Sequence, residues 1–485
     1  MWRTKLNKRR EESYDGIKAG IWYTFGNILI KAIPFLTLPI FTNLMTTGEF
    51  GIYNTYLSYT GVLEVILCFG FAQTVKIAKI DFKDTFEKYM SSLFELILVI
   101  GSVFLIFLNA IYPMLFRSIP AISWITPVIL NLIILNSIST AIYSLMGGKY
   151  VILGKYRENL LISFLTTGLN IGSSLLLCYS FLKNNHGLAR IVGTAIGSLC
   201  VCLFIVFRQN HIARLKRYKE ANRFAFRYGL PLVPHQLSIT LFSQSDKIMI
   251  QAMVGDSPAG IYGLAVNIML VLSVLVSSFD NAWTPWFFKK LEEKKYNYIR
   301  ETNNLIVVFF IYLYCGFCLV APDVIKVFSE ESYWDAIFPL LPLAVSSYIN
   351  FMYLFSVGVE YFYKKTGVIS IATITCTGAN LVLNYIFIKN YGYVAAAYST
   401  CITKFLLFVI HYYASGRILS ERTVGYKQLF LGLIIIILIA ATSAFTIDVI
   451  IIRYSIVILI SAVVFLFFKR KGVVDSLMKK YLKRS

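Results

Sequence analysis

The sequence predicts an all-α integral membrane protein of about fourteen transmembrane helices: two parallel six-helix lobes and two additional C-terminal helices. Composition, the spacing of apolar runs and the placement of basic residues all lead there. The 485 residues are 57% hydrophobic and only 15% charged, whereas a soluble chain carries roughly a quarter charged residues. Mean hydropathy is +0.68. Apolar runs of about 20 residues, the length that crosses hydrocarbon, recur throughout. The domain boundaries expected of a soluble chain this long therefore never appear.

Taken in order, the candidate spans lie near 19–43, 51–75, 89–113, 123–146, 158–182, 188–207 and 228–254, then 259–284, 303–321, 336–359, 367–388, 393–413, 428–447 and 450–468. The first follows a basic segment, MWRTKLNKRREESYDGIK. It is too long for the apolar core of a signal peptide, and no small-residue cleavage site follows, so it is expected to remain as a span. The first and seventh spans carry charge and proline.

Orientation follows from the basic residues. With the N-terminus inside and fourteen spans, cytoplasmic segments hold 37 of the 46 Lys and Arg, external loops 6 and spans 3. In short loops that bias places both termini in the cytoplasm. It also accounts for the net charge of +21 without nucleic acid. The most basic loop, residues 208–227, divides the chain into halves. A shift of 209 places Gly20 on Gly229 and Gly51-Ile52-Tyr53 on Gly260-Ile261-Tyr262. Both copies read helix, turn, helix in the same orientation, as in a parallel repeat. The expected divisions are a first lobe at 1–210, a second at 211–415, and two helices with a basic tail at 416–485.

Charges inside spans are expensive and mark cavities or partners. Lys31, Glu64, Asp246, Lys247 and Lys404 are such charges, while Glu95, Asp280 and Glu360 lie nearer span ends and read as solvated anchors. The first span carries Pro34 and Pro39 and the seventh Pro231 and Pro234. Proline removes a backbone hydrogen bond, and interrupted spans at matching places in two halves point to a transporter's central site. Asn27 and Gln244 add polarity beside them, so these four prolines are candidate hinges. Asp246 and Lys247 point about 100° apart on a helix and cannot share one small site. Gly168-x-x-x-Gly172 and Gly193-x-x-x-Gly197 have the spacing of close helix contacts.

Several chemistries find no support. GGKYVILGKY (147–156) lacks the spacing and the Ser or Thr of a P-loop. The four histidines are scattered, so no zinc site is expected. Cys315 and Cys318 read as a buried apolar pair. No catalytic residue, metal or cofactor is expected, and no external loop exceeds roughly twenty residues, too few for a catalytic domain there.

IKAGIWYTFGNILIKAIPFLTLPIFTNLMTTGEFGIYNTYLS resembles the opening of bacterial polysaccharide-repeat-unit flippases, with a Gly-Ile-Tyr turn after the first span. FRYGLPLVPHQLSITLFSQSDKIMIQAMVGDSPAGIYGLAVNI resembles the start of their second half, through Gly229, Pro231, Pro234, Asp246, Lys247, Gly260 and Tyr262. These flippases belong to the multidrug/oligosaccharidyl-lipid/polysaccharide exporter superfamily. The resemblance implies translocation of undecaprenyl-diphosphate-linked oligosaccharide from the cytoplasmic to the outer leaflet of the bacterial inner membrane. The product would feed O-antigen (lipopolysaccharide), capsule or a similar polymer, alongside glycosyltransferases and a polymerase. Lys31, Lys247 and Lys404 would offer charge to the diphosphate, and Glu64 or Asp246 would couple an ion gradient. A drug or cation antiporter of the same superfamily is the alternative. A membrane-embedded polymerase or ligase would need a long external loop or an intramembrane catalytic histidine, and neither is evident.

Overall fold

A computed structural model describes residues 26, 32–115, 119 and 122–472. Every regular element among them is helical. The elements are α1 (Leu38–Leu44), α2 (Thr47–Cys68), α3 (Phe71–Asp81), α4 (Phe86–Leu115), α5 (Pro127–Ile152), α6 (Tyr156–Tyr179), α7 (His186–Ile212), α8 (Lys219–Gly229), α9 (Val233–Met253) and α10 (Asp256–Glu292). They continue with α11 (Tyr296–Phe328), α12 (Ile337–Phe362), α13 (Thr366–Tyr391), α14 (Ala395–Ile418), α15 (Tyr426–Phe445) and α16 (Ile450–Arg470). Short 3₁₀ turns at Leu230–Leu232 and Glu331–Ala336 precede α9 and α12.

Among the described residues, twelve helices are long and apolar enough to cross a bilayer. They coincide with the second to sixth and eighth to fourteenth expected spans. Most of the expected first span lies outside the described residues. The expected seventh span forms a helix, α9, but it is too polar to stand among the twelve: His235, Gln236, Gln244, Asp246, Lys247 and Gln251 all lie on it. Large apolar side chains such as Ile106, Leu176, Phe207, Ile371, Leu438 and Ile458 stay exposed on the helix surfaces, as a hydrocarbon surround requires.

The chain divides into two compact units, Met1–Gly263 and Leu264–Ser485. In the first, α2 starts with a capping box: the Thr46 hydroxyl accepts from the Glu49 N–H, and the Glu49 carboxylate accepts from the Thr46 N–H, satisfying two donors the helix cannot. Gly193 and Gly197 let α7 approach α6 closely, because a Cβ on either would lie within 2.5 Å of Ser174 or Asn170. Gly168 and Gly172 face open space, so only the second small-residue pair makes the expected contact. In the second unit, α12 packs chiefly on α14 and α15, and α11 on α15 and α16.

The turns after α5, α10 and α12 share one form. Gly154, Lys294 and Lys364 adopt positive φ, and the next N–H bonds back to Tyr150, Lys290 and Glu360 carbonyls. This satisfies helix-end acceptors. Two lysines accept a conformation that usually favours glycine.

Candidate functional site

The site is built where α9 and the start of α10 lie against α2. The repeat seen in the sequence is physical here. A Cβ at Gly51 would fall 1.9 Å from the Asp256 carbonyl oxygen, and one at Gly260 would fall 1.9 Å from the Thr47 carbonyl oxygen. Residues 47 and 256, like 51 and 260, are 209 apart, so the two helices cross about a local twofold relation. Only glycine allows backbones this near. The Thr47 and Ser257 hydroxyls, 2.8 Å apart, close the crossing.

From that crossing α9 runs alongside α2, with its polar residues toward it. Ser58 Oγ donates to Gln244 Oε1 at 3.0 Å, and Tyr262 Oη donates to Asp246 Oδ2 at 2.6 Å. Asp246 and Lys247 are both buried. Among the described residues the Lys247 ammonium makes no hydrogen bond and no ion pair within bridging distance. The carboxylate beside it in sequence is engaged by Tyr262 and is the charge that acts on Lys247, while the lysine keeps hydrogen-bond donors available for an anion. A turn along α2, Glu64 Oε1 accepts from Ser144 Oγ at 2.6 Å, which ties it to α5.

The four candidate hinge prolines lie at helix ends. The helical run at residues 32–36 ends at a turn on Thr37 before α1 begins, with Pro34 before the turn and Pro39 just after it. Pro231 lies in the 3₁₀ turn and Pro234 in the first turn of α9. Proline fits a first turn because its missing N–H has no helical partner anyway. Beside the 3₁₀ turn, Gly70, at φ 72°, is packed so close to Gly229 that a Cβ would lie 2.4 Å from the Gly229 carbonyl oxygen. Asn27 and Lys31 lie outside the described residues. Lys404 belongs to α14 in the second unit and is half-buried.

The long basic loop is pinned at its ends. Lys149 Nζ donates to Glu87 Oε2 at 2.6 Å and Gln209 Oε1 at 2.9 Å. Ser91 holds the Ala213 carbonyl and Ser92 holds Asn222. Outside the spans, hydrogen bonds from Lys290 and Lys295 lower Glu293 to about 2, and the hydrogen bond to Glu220 raises the Tyr218 phenol.

A family model for "Polysaccharide biosynthesis protein" matches residues 17–291, more than half of the chain. The chain belongs to this family. Most of the candidate site falls inside the matched residues: Asn27, Lys31, Glu64, Gln244, Asp246, Lys247 and the four prolines, while Lys404 falls outside. The Lsg locus protein 1 of Haemophilus influenzae is 19% identical over 409 residues, which are 81% of this chain and 97% of that protein. Among solved structures, the lipid II flippase MurJ in an inward closed conformation aligns with a TM-score of 0.65 at 15% identity, covering 93% of this chain and all of its own. An inward-facing multidrug-resistance MATE transporter of the MOP superfamily aligns at 0.64 and 16% identity, covering 80% and 94%. The family member described here therefore has the MOP transporter fold.

Two charge pairs in the second unit, one fully buried and one with its carboxylate half-buried, escape a reading of the sequence. Arg453, which falls inside the last expected span, is fully buried on α16. It pairs bidentately with Asp323 at 2.7 Å on both arms and donates to the Leu319, Thr446 and Ile447 carbonyls. Glu360 is not a solvated anchor. Its side chain is fully buried and its Oε1 lies 2.8 Å from His411 Nδ1. No local pattern joins residues 51 or 130 apart; the only signal was a lone ionisable group in an otherwise apolar run.

Proposed function

We propose that this family member is a flippase that carries undecaprenyl-diphosphate-linked oligosaccharide repeat units from the cytoplasmic to the outer leaflet by alternating access. The observation that carries this reading is the buried Lys247 side chain, without a hydrogen bond among the described residues, on the proline-started helix α9 of a polysaccharide-biosynthesis protein. A diphosphate cannot cross hydrocarbon unaided, because burying its charge without compensation is prohibitive. A lysine offers it a point charge with rotatable donors. Likeness to a lipid II flippase supports a lipid-linked cargo. On this reading 1–210 and 211–415 act as the two lobes, with 416–485 appended. Both termini lie in the cytoplasm, Lys31 joins Lys247 in holding the diphosphate, and Lys404 in the second unit offers it a further positive charge. Glycosyltransferases supply the cargo and a polymerase consumes it.

The test replaces Lys31 and Lys247 separately by Ala, at matched expression, and follows surface polysaccharide. The expected result is loss of polymer and accumulation of the lipid-linked unit; normal polymer in both variants would exclude a cationic cavity. The MATE likeness favours a second reading, drug or cation efflux. That function needs acidic groups open to a cation, whereas Asp246 and Glu64 are engaged by Tyr262 and Ser144. Strong dye efflux without any glycan defect would reverse the order of the two readings.

A further inference from the structure

Glu360 and His411 are each fully shielded, with 0% side-chain exposure, yet half of their hydrogen-bonding capacity is unused. Glu360 Oε2 and His411 Nε2 have no partner, while Oε1 and Nδ1 meet at 2.8 Å. A native structure rarely leaves such atoms orphaned without a reason. The proton count is informative. The Nδ1···Oε1 contact holds one proton, and with that proton alone the pair carries one negative charge. Nothing nearby compensates it: among the described residues no lysine or arginine forms an ion pair with Glu360. The carboxylate also sits in the last turn of α12, at the negative end of the helix dipole.

Among the described residues, no Lys or Arg pairs with Glu360 or stands against His411 in an ion pair. Tyr353 and Tyr361 share α12 with Glu360, and the Tyr353 ring stands edge-on to His411 at 4.9 Å. Asp280 on α10 adds negative potential around the same two tyrosines. From α15, Tyr426 Oη lies 3.4 Å from Ser356 Oγ, one turn before Glu360. Arg422, between α14 and α15, is stacked on Tyr412 and Tyr426.

We propose that Glu360 and His411 form a proton-binding site in the second unit, which takes up one proton from solution at its unpartnered atoms. The step balances simply. A hydronium ion gives its proton to the Nε2 lone pair, an N–H bond forms, water leaves, and the pair passes from one negative charge to neutral. The neutral form suits a dry site, and the anionic form calls in water or a cation. The chemistry selects a proton over an alkali ion, because hard cations take sets of oxygen ligands and this site offers one carboxylate beside an imidazole. Use of this proton to drive transport rests on the flippase reading; proton binding itself does not.

The experiment is pH-difference infrared spectroscopy on the purified full chain in detergent, with Glu360→Gln, His411→Gln and the control Glu95→Gln. The wild type and the control are expected to show carboxyl and imidazole bands that titrate together. His411→Gln should abolish the imidazole component, and Glu360→Gln should move its midpoint by about one pH unit or more. An unchanged midpoint in Glu360→Gln, or no titration that His411→Gln removes, would overturn the site. Should either variant fail to fold, wild-type protein labelled with ¹⁵N-histidine carries the test. One titrating histidine whose ring proton exchanges slowly with water is expected; finding every titrating histidine in fast exchange overturns the proposal. The spectra need no cargo, so their failure leaves the flippase reading standing, and failure of the polysaccharide assay leaves the titration standing.

Discussion

In the second unit a fully buried Arg453 pairs with a half-buried Asp323, Glu360 and His411 are both buried, and the two pairs are built to opposite rules. Arg453 uses all five of its donors, on two carboxylate oxygens and three carbonyls. Glu360 and His411 share one contact and leave an atom unsatisfied on each side. A fully satisfied buried network rigidifies, whereas a partly satisfied one is costly and persists where it has work to do. The first pair fastens α16 to α11. The second has a protonation state left to change.

The comparison breaks most readily at Arg453. Arg453→Met strands the Asp323 carboxylate and should lower stability by about 3–5 kcal/mol in detergent denaturation, while Arg453→Met with Asp323→Leu should recover most of it. A small loss in the single variant would mean that the pair fastens nothing. The crossing of α2 and α10 comes next. Gly51→Ala or Gly260→Ala forces a Cβ onto a carbonyl oxygen and should lower stability by about 1–3 kcal/mol. The two effects should be similar, since the contacts are reciprocal, and the double variant should fall short of their sum because they share one crossing.

Glu360→Gln sharpens the contrast. His411 can then remain neutral, so no charge is stranded, and stability should stay within about 1 kcal/mol of wild type. A loss as large as that of Arg453→Met would make the pair structural. Glu293 should matter least. Its carboxyl is held at about 2 by Lys290 and Lys295, so whatever it contributes is present above the ordinary carboxylate range and is lost only as pH falls toward 2. Because the group is open to solvent, Glu293→Gln should leave the denaturation midpoint at neutral pH unmoved.

The same residues mark what the sequence could disclose. Span positions are encoded redundantly over about 20 residues each, so twelve of them could be located from hydropathy alone. The Gly-Ile-Tyr repeat was legible because its partners share a spacing of 209, and the structure turns that spacing into the Gly51–Gly260 crossing. Proline acts on its own backbone, so the turn at Thr37 and the 3₁₀ turn at Leu230–Leu232 have local causes. Charge pairing was not. Glu360 lies at the end of an apolar run, and tertiary packing, with His411 of α14 against it, leaves it buried. Arg453 sits beside a short joint, and its carboxylate is 130 positions away on α11. The polarity of α9 was visible, but its alignment on Ser58 and Tyr262 is tertiary.

The most direct test of the account is transport itself. Full-length protein reconstituted in vesicles with a fluorescent undecaprenyl-diphosphate-linked oligosaccharide would be followed by an impermeant quencher. The wild type should move the lipid between leaflets well above the protein-free rate, with Lys247→Ala close to that baseline. Wild-type vesicles that exchange the lipid no faster than protein-free ones would contradict the account.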